Sequence, residues 1–478
     1  MTIHLGHLIH ITGAPDLRDA AQSLVDVADG ALVIDDETGV IVYSGPRSGL
    51  ADALSDGGAL PDADAARGVT IDHGDAFLIP GFVDAHIHFP QTYSLDAYGG
   101  GQLLEWLNTC IFPAEARLAD PEFARRIARE FTARRIAAGT TAAMVFGSAF
   151  PHAQDALFAE TARVGLRLVS GRGIQTVGPD SAGPLITSEA DAIALTTAEI
   201  DRWHAADTGD PATSLLHTAI MPRFTLSVTT ETLRALGELY AEVSGRGVYV
   251  HTHLNENNRP GTGEIDTVKK LFEVDSYLDT YDGKFLPGSA RGGESLLGRR
   301  TVLAHAVHCT EAELARMAQT GTSIAHCPTS QLFLGSGTMP WLSTIASGVT
   351  VAAGTDCGGG DEWLISRVLS DAFKVHISEP GDRGVSIHPA ELLFTGTLAG
   401  ARALDAEERF GNLDAGKEAD FLVIEPERWP PLAAMLENGI RSDDPELARD
   451  QTLFALLMGL REPAIGEVYV RGRRVSAD

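Results

Sequence analysis

The sequence has no apolar run of the roughly 18 residues needed to cross a bilayer. Its amino-terminal stretch, MTIHLGHLIHITG, lacks a basic segment followed by an apolar core and a small-residue cleavage site. Together these absences lead to the expectation of a cytoplasmic protein. Cysteine is scarce, and Cys110, Cys309, Cys327 and Cys357 are dispersed without a C-x-x-C pair. That argues against a disulfide framework and against a cysteine-rich zinc site, and leaves the thiols as small buried hydrophobes. Positive charge is short as well: 37 Lys and Arg stand against 65 Asp and Glu, a net charge of −28 spread along the chain. Such a surface repels phosphate backbones and anionic lipid, so neither nucleic acid nor a membrane is expected as a partner. There is also no H-E-x-x-H stretch and no P-C-x-x-C, which disfavours two common zinc chemistries.

What is present is a globular composition, 44% hydrophobic and 21% charged over 478 residues, enough for a large barrel with an accessory domain. Residues 78–405 alternate apolar strands with amphipathic helices. The strand candidates are FLIPGFVDA, TTAAMVFG, LRLVSG, SLLHTAIMP, GVYVHTH, TVLAHAV, TSIAHCP and VTVAAGTD, with helices such as PEFARRIAREFTARRIAA and WLISRVLSDAFKV between them. This is the rhythm of a (β/α)8 TIM-like barrel, whose active site lies at the carboxyl ends of its strands. Residues 1–77 and 406–478 read as short β-runs and turns, including the hairpin ALVIDD-ETG-VIVYSG. They are expected to form one small β-sandwich domain built from both termini. Two glycine-rich interruptions, 257–263 and 288–293, read as surface loops.

The chemistry gathers at strand ends. In PGFVDAHIHFPQ, His86 and His88 are two residues apart on a strand and therefore face the same way, half of a metal site. GVYVHTHLNE adds His253, which can complete a three-histidine set, and Glu256, placed to move protons. His251 shares the face of His253 and is the second choice as ligand. His305 in TVLAHAVHC and Asp356 in VTVAAGTDCGGG close two further strands, and a buried Asp there calls for a metal or a histidine partner. Three histidines and a carboxylate suit Zn²⁺ or Fe²⁺, and an ion of that kind lowers the pKa of bound water towards about 7. The reaction class is then metal-assisted hydrolysis.

With these clusters assembled, the chain resembles the amidohydrolase superfamily and, within it, the guanine deaminase branch. The strings that carry the resemblance are PGFVDAHIHFPQT, GQLLEWLNTCIFPAEARLAD, AGTTAAMVFGS, MPRF, HTHLNEN, AHCPTSQLFLGSG, GTDCGGG and GNLDAGKEADFLVI. The resemblance implies hydrolytic deamination of guanine to xanthine and ammonia, with one Zn²⁺ (or Fe²⁺) held by His86, His88, His253 and Asp356. It assigns proton handling and polarisation to Glu256 and His305, with Asp356 also taking a proton from the attacking water. Gln91 and Arg223 would bind the heterocycle, and a homodimer is expected. Phe224 and Trp106 are candidates for stacking on or lining the pocket, and His326, at the end of another strand, for a substrate contact.

The departures concern the ring rather than the reaction. The family's Met-Asp-x-Asn element after the third strand is replaced here by GRGIQTVGPDS, 171–181, and His308 stands where the family has Tyr. The loop is expected over the barrel mouth. If it touches substrate, the alternative is another aminated ring on the same site: a pterin, another aminopurine or an s-triazine.

Overall fold

The computed structural model describes residues 1–53, 68–95, 97–98, 102–284 and 293–477. The amino-terminal run forms β1 (Thr2–Ile11), β2 (Leu24–Ile34), β3 (Ile41–Pro46) and β4 (Val69–Pro80). Eight strands then carry the barrel: β5 (Phe82–His88), β6 (Thr140–Phe146), β7 (Arg167–Gly171), β9 (Leu216–Pro222), β10 (Tyr249–Leu254), β11 (Thr301–His305), β12 (Ser323–His326) and β13 (Val351–Ala353), with the two-residue β8 (Gly173–Ile174) pairing β9. β14 (Phe421–Ile424), β15 (Ile465–Val470) and β16 (Arg473–Arg474) return to the first group.

The barrel strands pair parallel in the order β13-β12-β11-β10-β9-β7-β6-β5. β13 is brought back to β5 where the Asp356 amide donates to His86 O (2.8 Å). Strands of a barrel are covered on both faces, and β5, β6 and β7 are buried at every position, the polar ones included. Helices between them follow their caps. Asp120 accepts from the Glu122 amide to start Pro121–Ala137, and Thr310 with Glu313 forms a capping box on Glu311–Thr320.

The expected sandwich takes the form of one seven-stranded sheet, order β16-β15-β14-β4-β1-β2-β3. The run FLIPGFVDA, read in the sequence as one barrel strand, is split between the two sheets. Leu78 and Ile79 pair with Val423 and Leu422 of β14, and the barrel begins only after Gly81. At that junction the Gly81 amide donates to Asp420 O (3.0 Å) and the Phe82 amide to Gly139 O (3.1 Å). A Cβ at Gly81 would stand 2.2 Å from Thr141 Oγ1, so only glycine permits the crossing. Two helices, Pro430–Asn438 and Pro445–Gly459, were not anticipated; the second packs on Ile365–Ile377 and Pro389–Gly396 on the barrel's flank. Among the described residues no helix is long and apolar enough to cross a membrane.

A buried ion cluster joins sheet and barrel. Arg167 of β7 binds Asp420 (Nε–Oδ2 2.5 Å) and Glu418, and Glu418 also takes Arg471 (2.9 Å) and Arg409 (3.2 Å). Burial pushes the Glu418 carboxyl up, but Arg167, Arg471 and Arg409 outweigh it and hold the group at about 2 instead of 4.5. Because the folded value is the lower one, this stabilisation is complete above about pH 4.5 and is lost as the pH falls from there through 2. Arg167→Ala leaves two acids buried without their main partner. It is expected to cost about 3–5 kcal/mol, read as a fall in the denaturant midpoint at unchanged slope; an unmoved midpoint contradicts the assigned role.

Candidate active site

Side-chain alternation on β5 and β10 brings His86, His88 and His253 to one place, as the two-residue spacing requires. His86 Nε2 lies 3.1 Å and His88 Nε2 3.2 Å from Asp356 Oδ1, and His253 Nε2 lies 3.2 Å from His88 Nε2. His305 Nε2 stands 3.3 Å from Glu256 Oε2 and 3.9 Å from Asp356 Oδ2. Two overlapping triads, His86/His88/Asp356 and His86/His253/His305, have ligand-type atoms within 4.8 Å of one another. The turns that follow these strands are left-handed at non-glycine residues: Asn255 (φ 50°), His305 (φ 70°), Ala306 (φ 49°) and Asp356 (φ 48°). Each costs about 1 kcal/mol or more, a strain that clusters at functional sites.

The surrounding groups fix each imidazole. His251 Nδ1 is 2.7 Å from Val302 O and its Nε2 is 2.6 Å from His86 Nδ1. A proton donated to the carbonyl leaves His251 Nε2 to accept from His86 Nδ1, and the lone pair of His86 Nε2 is thereby turned to the cluster. His251, the second choice as ligand, thus stands behind a candidate ligand. His253 Nδ1 is held by Arg223 O at 2.5 Å. Asp84 accepts from Thr355 Oγ1 (2.6 Å), the Thr355 amide (3.0 Å) and the His86 amide (3.1 Å), tying the HxH strand to the Asp356 turn. Ser330 Oγ donates to Asp356 Oδ2 (2.6 Å).

The residues fit a metal ion. His86 Nε2 is buried and makes no hydrogen bond of good geometry, and the donor set is three imidazoles with one carboxylate. Burial lowers the imidazoles, His86 and His305 to about 3 and His253 well below its usual value, so they are neutral, the form that binds metal. Asp356 stands well below the carboxylate range despite its burial. Glu256 goes the other way. Burial first, then the carboxyls of Glu264 and Asp356, push it well above its usual value. Its backbone is pinned by Glu264, which accepts from the amides of Glu256 (3.1 Å) and Asn257 (3.3 Å) and from Tyr277 OH (2.7 Å), and Ser336 Oγ donates to Glu256 Oε1 (3.3 Å).

A cavity opens onto this cluster. His88, His253, His305 and Asp356 line it together with Glu256. Gln91, Arg223 and Phe224 line it as well, and Trp106 lies among the apolar residues Leu103, Leu107 and Leu334. One expected contact is absent from the lining. His326 lies behind β12 with its Nε2 3.0 Å from His376 Nε2. The register that sets Ala304 against Ala325 and Leu254 against His305 places His326 in the row of Leu254, opposite to His253. The 171–181 segment does not line the cavity either. It is tied to its neighbours instead: Ile174 O accepts from the Arg223 amide (3.0 Å) and Ser181 Oγ donates to Asn108 Oδ1 (2.7 Å). His308 Nε2 is 2.7 Å from Ser336 O, holding the turn that carries Ser336. In the 257–263 loop, Asn257 Nδ2 donates to Gln102 Oε1 (3.0 Å); the second interruption, except Gly293, lies outside the described residues.

Three participants went unread in the sequence: Ser330, Glu264 and Glu115. Glu115 accepts from Gln91 Nε2 (2.9 Å) and Arg223 Nη1 (2.6 Å). A signal for it existed in FPAEA, since a Glu among residues that are otherwise apolar is a candidate for a buried partner.

Residues 77–456 match the amidohydrolase family. The chain is 38% identical over 465 residues to a probable guanine deaminase of Deinococcus radiodurans, covering 96% of this chain and 95% of that protein. It is 35% identical over 419 residues to the guanine deaminase of Escherichia coli, covering 87% and 86%. The solved structure of E. coli guanine deaminase superposes with a TM-score of 0.82 at 31% identity, covering 99% of this chain and 98% of that one.

Proposed function

The chain belongs to the amidohydrolase family, and we propose that it hydrolyses guanine to xanthine and ammonia. One observation carries the reading: a single cavity is lined by the imidazole–carboxylate cluster, by the buried carboxyl of Glu256 and by the pair Gln91 and Arg223. Relatives named guanine deaminases support the choice of ring.

His86, His88, His253 and Asp356 would hold one Zn²⁺, with Fe²⁺ suited to the same donors. When bound, such an ion supplies Lewis-acid polarisation and makes water more acidic. The remaining work falls to the chain. Arg223 and Gln91 bind the ring edge away from the reacting carbon, and Phe224 lines the pocket. Glu256 takes a proton from the attacking water and delivers it to N3, beside C2. His305, 3.3 Å from Glu256 Oε2, polarises the adding oxygen. Asp356 receives the second proton of water, which leaves with the amino group as ammonia. The C2–N bond breaks, the oxygen of water becomes the C2 carbonyl, and N3 keeps its proton, so the atoms balance to xanthine.

The test is relative kcat/KM across guanine, adenine, a pterin and an s-triazine with metal-loaded protein. Guanine is expected to lead by more than about a hundredfold. A pterin or triazine preferred over guanine would replace the substrate and leave the family intact.

A further inference from the structure

Gln91 and Arg223 do not meet the cavity as independent side chains. Both donate to Glu115, at 2.9 and 2.6 Å, and Gln91, Glu115 and Arg223 are only 2%, 6% and 4% exposed. A carboxylate paired with a guanidinium accepts hydrogen bonds and donates none. It therefore claims the NH2 group of Gln91 and leaves the amide oxygen over. That atom, Gln91 Oε1, is buried and has no hydrogen-bond partner. It lies against Gly358, where φ is +110° and a Cβ would stand 2.3 Å away, so the backbone has been cleared to seat it. The guanidinium has only N–H groups to offer, and those not used on Glu115 remain donors. The ring of Phe112 backs it, 5.2 Å from Arg223 Cζ.

We propose that Glu115 is a positioning residue that sets the hydrogen-bonding polarity of this pair, acceptor at Gln91 and donor at Arg223, so that the cavity selects a ring edge with N–H beside C=O. The inference rests on the deaminase reading for the presence of a ring in the cavity. A 6-oxopurine lactam carries that edge at N1–H and O6. A 6-aminopurine carries the inverse, a lone pair at N1 beside an NH2 group. It would set acceptor against acceptor at Gln91 and donor against donor at Arg223, leaving buried polar groups unpaired. The selectivity of the site thus originates in a carboxylate whose own oxygens are taken up by the two residues it orients.

The experiment compares guanine with 2,6-diaminopurine, which has the same 2-amino group and the inverse edge. Wild-type protein is expected to favour guanine by at least about a hundredfold in kcat/KM. Glu115→Gln keeps the volume but can accept from Arg223 with its oxygen while offering NH2 to Gln91, turning that amide over. The guanine-to-diaminopurine ratio should then fall by about tenfold or more, mainly through the KM of guanine, with metal content unchanged. Gln91→Leu removes the acceptor without touching the ion pair and should lower the ratio in the same direction. A merely structural Glu115 would weaken both rings together and leave the ratio where it was, which overturns the proposal, as does a wild-type chain without preference. Titrating the same two rings into metal-loaded Glu256→Gln, with and without Glu115→Gln, gives the ratio of Kd values without turnover. A wild-type chain that deaminates neither ring removes the deaminase reading; a Kd ratio unmoved by Glu115→Gln, or no binding of either ring, removes the role of Glu115.

Discussion

Glu256→Gln is expected to lower kcat for guanine by about a thousandfold, within the range lost when a positioned proton carrier is removed, while metal content and KM stay near wild type. The substitution is isosteric, and the backbone it sits on is held by Glu264 through the amides of Glu256 and Asn257, bonds that the new side chain leaves alone. Ser336 Oγ can still donate to the amide oxygen at this position, as it does to Oε1 at 3.3 Å. What disappears is the ability to take a proton from water and release it to N3. Glu256 is suited to both halves of that transfer, because burial and the neighbouring carboxyls Glu264 and Asp356 raise it well above its usual value. Single-turnover rates alongside elemental analysis measure the effect. A variant with full metal content and unchanged kcat contradicts the assignment.

The second large effect is on the metal. His253→Ala should reduce bound metal from the proposed one ion per chain to near zero, as expected when one of the proposed protein ligands is lost, and activity should vanish with it. The imidazole is oriented from behind by Arg223 O at 2.5 Å, which turns Nε2 towards His88 Nε2 at 3.2 Å. His251 cannot substitute for it, being engaged between Val302 O and His86, and the nearby His305 is directed to Glu256 (3.3 Å). Added Zn²⁺ should raise the Tm of the metal-free wild-type chain by mass action and leave that of His253→Ala unmoved. His326→Ala is the control: it faces His376 and should keep its metal. Equal metal content in His253→Ala and wild type would remove His253 from the ligand set.

Much of this site was legible because metal-type chemistry and strand geometry leave local marks. His86 and His88 declare a shared face by spacing alone, and His253 with Glu256 follows an apolar run that became β10. The misreadings came where a mark fixes the end of a strand but not the side. His305 and His326 both close apolar strands, and by register both belong to the row of Leu254. His305 reaches the cavity because its left-handed backbone, φ 70°, takes it off the alternation, whereas His326 keeps the alternation and meets a helix. No spacing in the sequence distinguishes them. Glu115 was hidden for a different reason. Its place in the apolar run FPAEA hints at burial but names no partner, which only the fold supplies by bringing Arg223, 108 positions away, to 2.6 Å. The 171–181 loop looked like a change at the substrate, whereas it is absent from the cavity lining and bonds to the backbone of Arg223 through Ile174 O (3.0 Å).

The proposed reaction adds one water molecule to C2 of guanine and releases one ammonia in this cavity. The most direct measurement is incubation of metal-loaded protein with guanine in ¹⁸O-labelled water, with mass analysis of the purine product and assay of ammonia. Xanthine carrying a single solvent-derived oxygen is expected, with ammonia in equal amount; guanine recovered unchanged from protein with its metal in place would contradict the proposed reaction.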